Sequence, residues 1–320
     1  MTGRYVVSTR RSGLGDRLVS LAAAWRFARN TGRTLVADWR FSAYALDGAA
    51  NLFTLCFEGA SSLAGVPFVG DDSVGRLGLP GNPRRTVLQA IHHRVTGCRR
   101  LGPEAALRAI REGRDVKGRA ILLDACLTDG SASFEETRRF LAALRPVAHI
   151  ANAVSAFRAR LGGGPIIGVH VRHGNGGNIL GHARYWPSFQ CGIDRCVAAV
   201  QRARARLGSS AIVMLCTDSI DVERALAELM PPVITRPKMH RYPGEGELHT
   251  WRGAGLVRDD AMIEMLLLAE SDVLVRYPPG SFFSFYAAVM KRHHERPPQT
   301  VGQLDCPWDP DDALSAAVLF

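Results

Sequence analysis

The 320-residue sequence has no uninterrupted apolar run of the roughly 18 residues that a membrane-spanning helix needs, so no transmembrane segment is expected. Its opening, MTGRYVVSTRRSGLG, lacks the apolar stretch and small-residue cleavage site of a secretion signal, and the chain is expected to be cytoplasmic. Seven cysteines occur, an odd number with no CxxC pair, and several lie in apolar runs such as AIVMLCTDS. That usage argues against a disulfide framework or a zinc site and for buried thiols in a reducing compartment. Metal-binding signals are equally scarce. A lone DxD, Asp309-Pro310-Asp311, lies in a proline-rich tail and reads as surface loop. The adjacent pairs His92-His93 and His293-His294 cannot converge on one ion, so no metal is expected. A polybasic tail and a basic stripe interleaved with aromatics are also missing, which argues against nucleic acid as the partner. Yet the formal net charge is +10, an excess that favours an anionic partner, for which nucleic acid, a membrane surface and a nucleotide diphosphate all qualify.

What is present is an α/β rhythm in two halves. A strand at 4–10, a glycine turn at 12–16, a helix to Thr31 and a strand at 34–39 make a parallel βαβ unit, with Asn30 and Gly32 stopping the helix. A buried strand follows at 119–125, then helices at 134–144 and 147–161, while 62–116 is rich in Gly, Pro and Arg and shows no clear period. LGGGP (161–165) reads as the joint between a domain 1–162 and a domain 163–320. The second half continues with strands at 166–172, 211–218, 231–236 and 272–276, and helices at 189–207, 220–230, 259–271 and from Ser281 to Lys291. This order predicts two Rossmann-like domains facing one cleft, with ligands at the carboxyl ends of the strands.

Five strand ends carry polar or glycine-rich segments. In GVHVRHGNG (168–176) a buried strand delivers Arg172 and His173 into a loop with Gly174 and Gly176. An arginine fork suits a diphosphate, and glycines let backbone N–H groups approach phosphate oxygens; a solvated arginine closing a strand is the alternative. RYPPGS (276–281) ends with Ser281 before a helix, an N-cap and a ready anion site. In CTDS (216–219), Asp218 suits either a ribose hydroxyl or base, or an ordinary helix start. Gly13-Leu14-Gly15-Asp16 is half of a dinucleotide fingerprint, and Asp38 closes the next strand, which keeps a nicotinamide oxidoreductase open. Asp124 and Cys126 end the strand at 119–125.

The segment GVHVRHGNG, followed by GHARYW (181–186), resembles the signature of the NodZ family of GDP-fucose-dependent alpha-1,6-fucosyltransferases. LDACL (123–127), LCTDS (215–219), IEMLLLA (263–269) and RYPPGSFFSFY (276–286) fall in the same order as similar stretches of that family, and GLGDRLVSLAAAWRFARNTGRTL (13–35) is similar to its opening. The resemblance implies a GT-B-like fold, an acceptor held by the first domain and GDP-fucose by the second. It also implies inverting, metal-independent transfer of fucose to the 6-hydroxyl of the reducing-end N-acetylglucosamine of a chitin oligosaccharide. On it, Arg172 matches the diphosphate arginine, with His173 and Asn175 on the following loop positions, and Ser281 a phosphate-binding position. His170 and Glu264 match positions near the guanine nucleotide, Glu264 standing where relatives carry Asp. Gly174, Gly176 and Asp218 fall with the donor, and Gly13, Gly15, Asp16 and Asp124 with the acceptor. Gly177-Asn178 replaces an acidic pair, which leaves His173 as the leading general base, with Asp124 and His182 as alternatives. A GDP-fucose transferase with another glycan acceptor would share the donor residues and differ within 40–116.

Overall fold

A computed structural model describes residues 3–40, 42–45, 50–77, 79, 97–124, 132–174, 186–240, 255, 257–278, 281–290 and 317–319. It divides into two compact units, Met1–Ala148 and His149–Phe320.

In the first unit, β1 (Tyr5–Ser8) is buried throughout and leads into α1 (Leu14–Thr31), which returns the chain to β2 (Thr34–Ala37), parallel to β1. The helix is buried on every face from Arg17 through Ala28, and the small alanines at 22–24 let other elements approach it closely. Gly32 ends it in the left-handed conformation, φ 64°, its N–H donating to the Ala28 carbonyl. After α2 (Leu52–Cys56) come a short antiparallel pair, β3 (Ser62–Leu63) and β4 (Val66–Val69), and later β5 (Cys98–Arg100), α3 (Pro103–Glu112) and β6 (Ala120–Leu123). Helix α4 (Ala132–Ala142) follows. The sheet order is β3-β4-β2-β1-β6-β5, parallel apart from β3. Strand order therefore reverses between β1 and β6, and the crevice of this sheet lies at Ser8–Thr9 and Leu123–Asp124.

The second unit begins with α5 (Ala148–Arg160) and β7 (Ile166–Val171). It continues through α6 (Phe189–Leu207), β8 (Ile212–Thr217), α7 (Ile220–Leu229), β9 (Val233–Thr235), α8 (Arg258–Ala269), β10 (Val273–Tyr277) and α9 (Phe282–Met290). A short strand, β11 (Ala317–Leu319), pairs antiparallel with β10. The order is β11-β10-β7-β8-β9, and the reversal falls between β7 and β10. Ile167, Val169, Val171, Val213, Leu215, Val273 and Val275 face Ile193, Val200, Val222 and Leu226 of the covering helices in one core. In register, His170 lies between Arg276 and Cys216, so these three side chains share one face of the sheet.

Both halves are α/β with a parallel sheet, as the strand–helix alternation implies, and most expected elements stand within two residues of their anticipated ends. Two findings differ from the reading of the sequence. Residues 62–116 hold β3, β4, β5 and α3, the last opened by Pro103 and closed by Gly113 at φ 60°. The contact boundary falls at 148/149, ahead of the glycine run at 162–164. Residues 145–147 are still tied to the first unit by Glu58 N–H to the Arg145 carbonyl and Val147 N–H to the Cys56 carbonyl. The next helix, α5, contacts α8 of the second unit, through His149 Nε2 and Asp259 Oδ2 at 3.2 Å. Among the described residues, no helix is long and apolar enough to cross a membrane.

Gly168, within β7, lies against Ser271 just past the end of α8. A Cβ there would lie 2.6 Å from Ser271 Oγ and 2.8 Å from its Cβ. Gly168→Ala is expected to destabilise the protein by about 1–3 kcal/mol, the cost of overpacking a core. The shift in denaturant midpoint reads it, and an unshifted midpoint would show that the end of α8 gives way freely.

Candidate functional site

At the crevice of the second sheet, β7 hands the chain to Arg172, His173 and Gly174, while β8 ends on Thr217 and Asp218. Asp218 gathers this corner. Its Oδ2 is 2.9 Å from Arg172 Nη1, Oδ1 accepts the His173 N–H at 2.9 Å, and Oδ2 also accepts the Gly174 N–H at 3.1 Å. Burial pushes the Asp218 carboxyl up, but Arg172 and the two N–H donors outweigh it and hold the group below its ordinary 3.8. Gly174 takes a φ of 73°, the left-handed conformation that lets its N–H turn back toward Asp218. Across the strand reversal, the Arg172 N–H donates to the Tyr277 carbonyl at 2.7 Å, so Arg172 and the end of β10 are joined directly.

His173 is set between rings. Trp186 lies 4.7 Å and Phe189 5.4 Å away, both edge-on. The indole N–H of Trp186 donates to the Arg172 carbonyl at 3.1 Å, and its ring reaches α6 only because position 192 is glycine, where a Cβ would sit 2.1 Å from it. His173 Nδ1 is 3.1 Å from Ser219 Oγ, the N-cap hydroxyl of α7. With the proton on Nδ1, Ser219 accepts it and Nε2 presents its lone pair. Burial lowers the His173 pKa from 6.5, against the opposing charges of Asp218 and Asp221, so the ring is neutral at physiological pH.

One layer deeper, His170 is 5% exposed, stacks on Phe283 at 5.0 Å and has no hydrogen-bond partner for Nδ1. Burial pushes its pKa down to about 3, so it too is neutral. Glu264 of α8 is paired with Lys238, Oε1 to Nζ 2.5 Å, both nearly buried. Burial lowers the Lys238 pKa, but the Glu264 charge outweighs it and raises the ammonium above its usual range. Ser281 stands at the start of α9, its carbonyl accepting Arg276 Nη2 at 3.1 Å.

The first unit has its own polar crevice. Gly13 caps α1 without a side-chain bond, and Gly15 and Asp16 lie in the first turn. Arg10, two residues past the end of β1, links the segments singled out in the sequence. Its Nη1 donates to the Asp124 carbonyl at 3.1 Å, its Nε to Ser12 Oγ at 2.9 Å, and its Nη2 lies 3.5 Å from Asp16 Oδ1. The Asp124 carboxylate pairs with Arg100. Thr9 Oγ1 is buried at the same strand end with no partner. Asp38 is held by a bidentate contact with Arg40, 2.8 and 2.9 Å, which occupies the carboxylate that a dinucleotide ribose would need.

The structure thus brings His170, Arg172, His173, Gly174, Asp218, Glu264 and Ser281 to one end of the second sheet, and Gly13, Gly15, Asp16 and Asp124 to the corresponding end of the first. Asn175, Gly176, Gly177, Asn178, His182, Cys126, the Asp309–Asp311 pair and the paired histidines lie outside the described residues. Arg10, Trp186, Ser219, Lys238 and Arg276 join these sites in addition to the residues expected from the sequence. Arg10 follows β1 as Arg172 follows β7, a parallel that could have singled it out; Lys238 carries no such signal. Among the described residues, no group of three or more His, Cys, Asp or Glu side chains is arranged to hold a metal ion.

The family model described as Nodulation protein Z (NodZ) matches residues 2–295. The Nodulation protein Z of Sinorhizobium fredii is 35% identical over 294 residues, covering 90% of this chain and 91% of that protein. That of Bradyrhizobium diazoefficiens is 34% identical over 294 residues, covering 89% and 78%. The crystal structure of NodZ alpha-1,6-fucosyltransferase soaked with GDP-fucose is similar at a TM-score of 0.67 and 31% identity, over 90% of this chain and 92% of that one. POFUT1 in complex with GDP shares the fold alone, with a TM-score of 0.53 at 11% identity over 93% and 97% of the two chains.

Asp218→Asn is expected to destabilise the protein at pH 7 by about 1–3 kcal/mol, since it leaves the Arg172 guanidinium beside an uncharged partner. The Asp218 pKa is depressed on folding, so its contribution is complete above the ordinary 3.8 and is lost as pH falls through the lower folded value. Denaturant titrations at neutral and strongly acidic pH check this: the gap between wild type and variant should close only at the acidic end.

Proposed function

The chain belongs to the Nodulation protein Z family, and on that premise we propose that it is an inverting fucosyltransferase, moving L-fucose from GDP-fucose to the 6-hydroxyl of the reducing-end N-acetylglucosamine of a chitin oligosaccharide. The observation that carries the reading is the knot of Arg172, His173, Gly174 and Asp218 at the reversal of the second sheet, joined to the end of β10 just before α9. An α/β sheet binds its ligand there, and the amide end of a helix favours an anion.

The second unit takes the nucleotide sugar and the first takes the acceptor. When the bond from the fucose anomeric carbon to the β-phosphate oxygen breaks, negative charge collects on the phosphate. Arg172 donates to the phosphate oxygens from a position that Asp218 fixes, Gly174 turns the loop with its own N–H held by Asp218, and Gly176 and Ser281 with the first turn of α9 supply neutral donors. This arrangement meets the growing charge without a divalent ion. His170 and Glu264 lie on the nucleoside side. The acceptor hydroxyl oxygen bonds to the anomeric carbon from the face opposite the leaving phosphate, which inverts that centre, and its proton passes to His173 Nε2, with Asn175 orienting the exchange. In the first unit, Gly13, Gly15, Asp16, Asp124 and the unpartnered Thr9 hydroxyl suit the polar edge of a sugar.

Arg172→Lys keeps the charge and loses the fork. It is expected to fold normally, by thermal melting, and to lose on the order of 10³-fold in fucose transfer to a chitin oligosaccharide. Near-normal transfer by the folded variant would remove the main support for this function.

The wild-type kcat/KM should rise with pH through an acid limb below 6.5, because the base is neutral above its lowered pKa. His173→Ala should abolish that limb and lower kcat by about 10²–10⁴-fold while GDP affinity changes little. A change confined to GDP affinity would move His173 from the acceptor to the donor.

A further inference from the structure

Arg276 is the anomaly of the second sheet. It sits inside the apolar strand VLVRY, is 1% exposed, and shares a sheet face with the neutral His170. Burying a guanidinium is costly unless an opposite charge meets it. Other sequestered cations of this unit are met: Arg172 by Asp218, Arg236 by Asp260 and Lys238 by Glu264. Among the described residues, Arg276 has no carboxylate partner. Its contacts are neutral, Nε donating to Ser284 Oγ at 3.0 Å and Nη2 to the Ser281 carbonyl at 3.1 Å. Burial alone pushes its pKa down to about 9, which still leaves it charged at pH 7.

Both contacts lie at the same place. Ser281 precedes α9 and Ser284 is in its first turn, where backbone N–H groups have no partner inside the helix. Ser284 Oγ also donates to the Ser281 carbonyl at 3.3 Å, so the guanidinium, the hydroxyl and the carbonyl form one closed set. The chain leaves β10 one residue after Arg276, at the strand whose Tyr277 carbonyl accepts the Arg172 N–H.

We propose that Arg276 is a positioning residue of the diphosphate site: it clamps the amide end of α9 and leaves its own positive charge to be balanced by the bound diphosphate. The inference rests on the donor reading above and adds to it a second cation that never touches the ligand. The counter-charge that the described residues do not supply is then the ligand's, which makes the site selective for the number of phosphate charges as well as for the nucleoside. A wholly structural arginine would have no such selectivity.

The test is the affinity of wild type, Arg276→Met, Arg276→Lys and Ser284→Ala for GDP, GMP and guanosine, by calorimetry, with thermal melting alongside. Arg276→Met is expected to lower the GDP-to-GMP affinity ratio by about tenfold and to leave guanosine affinity unchanged, the size of one lost charge-assisted contribution. Arg276→Lys should recover most of the ratio. An unchanged ratio, or equal weakening of GDP and guanosine, overturns the proposal. If Arg276→Met does not fold, Ser284→Ala decides, since it removes only the Nε partner: a ratio lowered about threefold supports the clamp, and an unchanged ratio overturns it. Wild-type protein that binds neither GDP nor GMP would overturn the donor reading itself, whereas normal wild-type binding with an indifferent Arg276→Met removes only the role of Arg276.

Discussion

The Asp218 carboxylate is the constraint on which the second unit's functional end depends. Its two oxygens hold one guanidinium N–H and two consecutive backbone N–H groups, all from the three residues that follow β7. A segment leaving a sheet has no ladder to direct it, so an acceptor with two oxygens on the neighbouring strand end takes that part. The same bonds set the charge state of the corner: a carboxylate so satisfied stays ionised, and the arginine beside it keeps a fixed position. One side chain thus couples strand pairing, loop conformation and electrostatics.

That role was hidden in the sequence. Read locally, Asp218 stands before Ser219, which caps α7, and looks like either a helix start or a ligand acceptor. Its true partners are about 45 residues earlier, and nothing in the local pattern names them. Arg172 was legible because an apolar strand runs straight into a glycine-rich loop. Arg276 was obscured for the opposite reason: within VLVRY it looks like the polar end of a buried strand, and only its exposure of 1% shows that it is itself buried. The long helices α1, α6 and α8 were legible, α6 and α8 to within two residues at both ends and α1 at its close, with Asn30 and Gly32 as its stop. The strands between 62 and 100 were not, since two to four residues cannot establish an alternation. Helix α3 was within reach, with proline at its first position and glycine just past its end.

The two units solve the same problem with different polarity. At each strand reversal an arginine closely follows the central strand, Arg10 after β1 and Arg172 after β7. Arg10 spreads its donors over a hydroxyl, a carbonyl and a loosely placed carboxylate, 3.5 Å away. Arg172 is held against a nearly buried carboxylate at 2.9 Å. On the proposed function, the first arrangement suits the hydroxyl groups of an acceptor and the second the phosphate oxygens of the donor, so that one topology would serve two chemistries through what stands on the neighbouring strand end.

The sheet order of the second unit also sets a sequence of events during synthesis and folding. Strands β7, β8 and β9 form from successive stretches of chain, each closing a modest loop. Strand β10 must return past all of them to pair with β7, at a separation of about a hundred residues, before the Tyr277 carbonyl can meet the Arg172 N–H. The corner built by Asp218 can assemble early, while the α9 side can only arrive late. A partly folded chain would thus carry a finished arginine and a missing helix, so affinity for an anionic nucleotide should report completion of this sheet, and a nucleotide present during folding would favour the closing step.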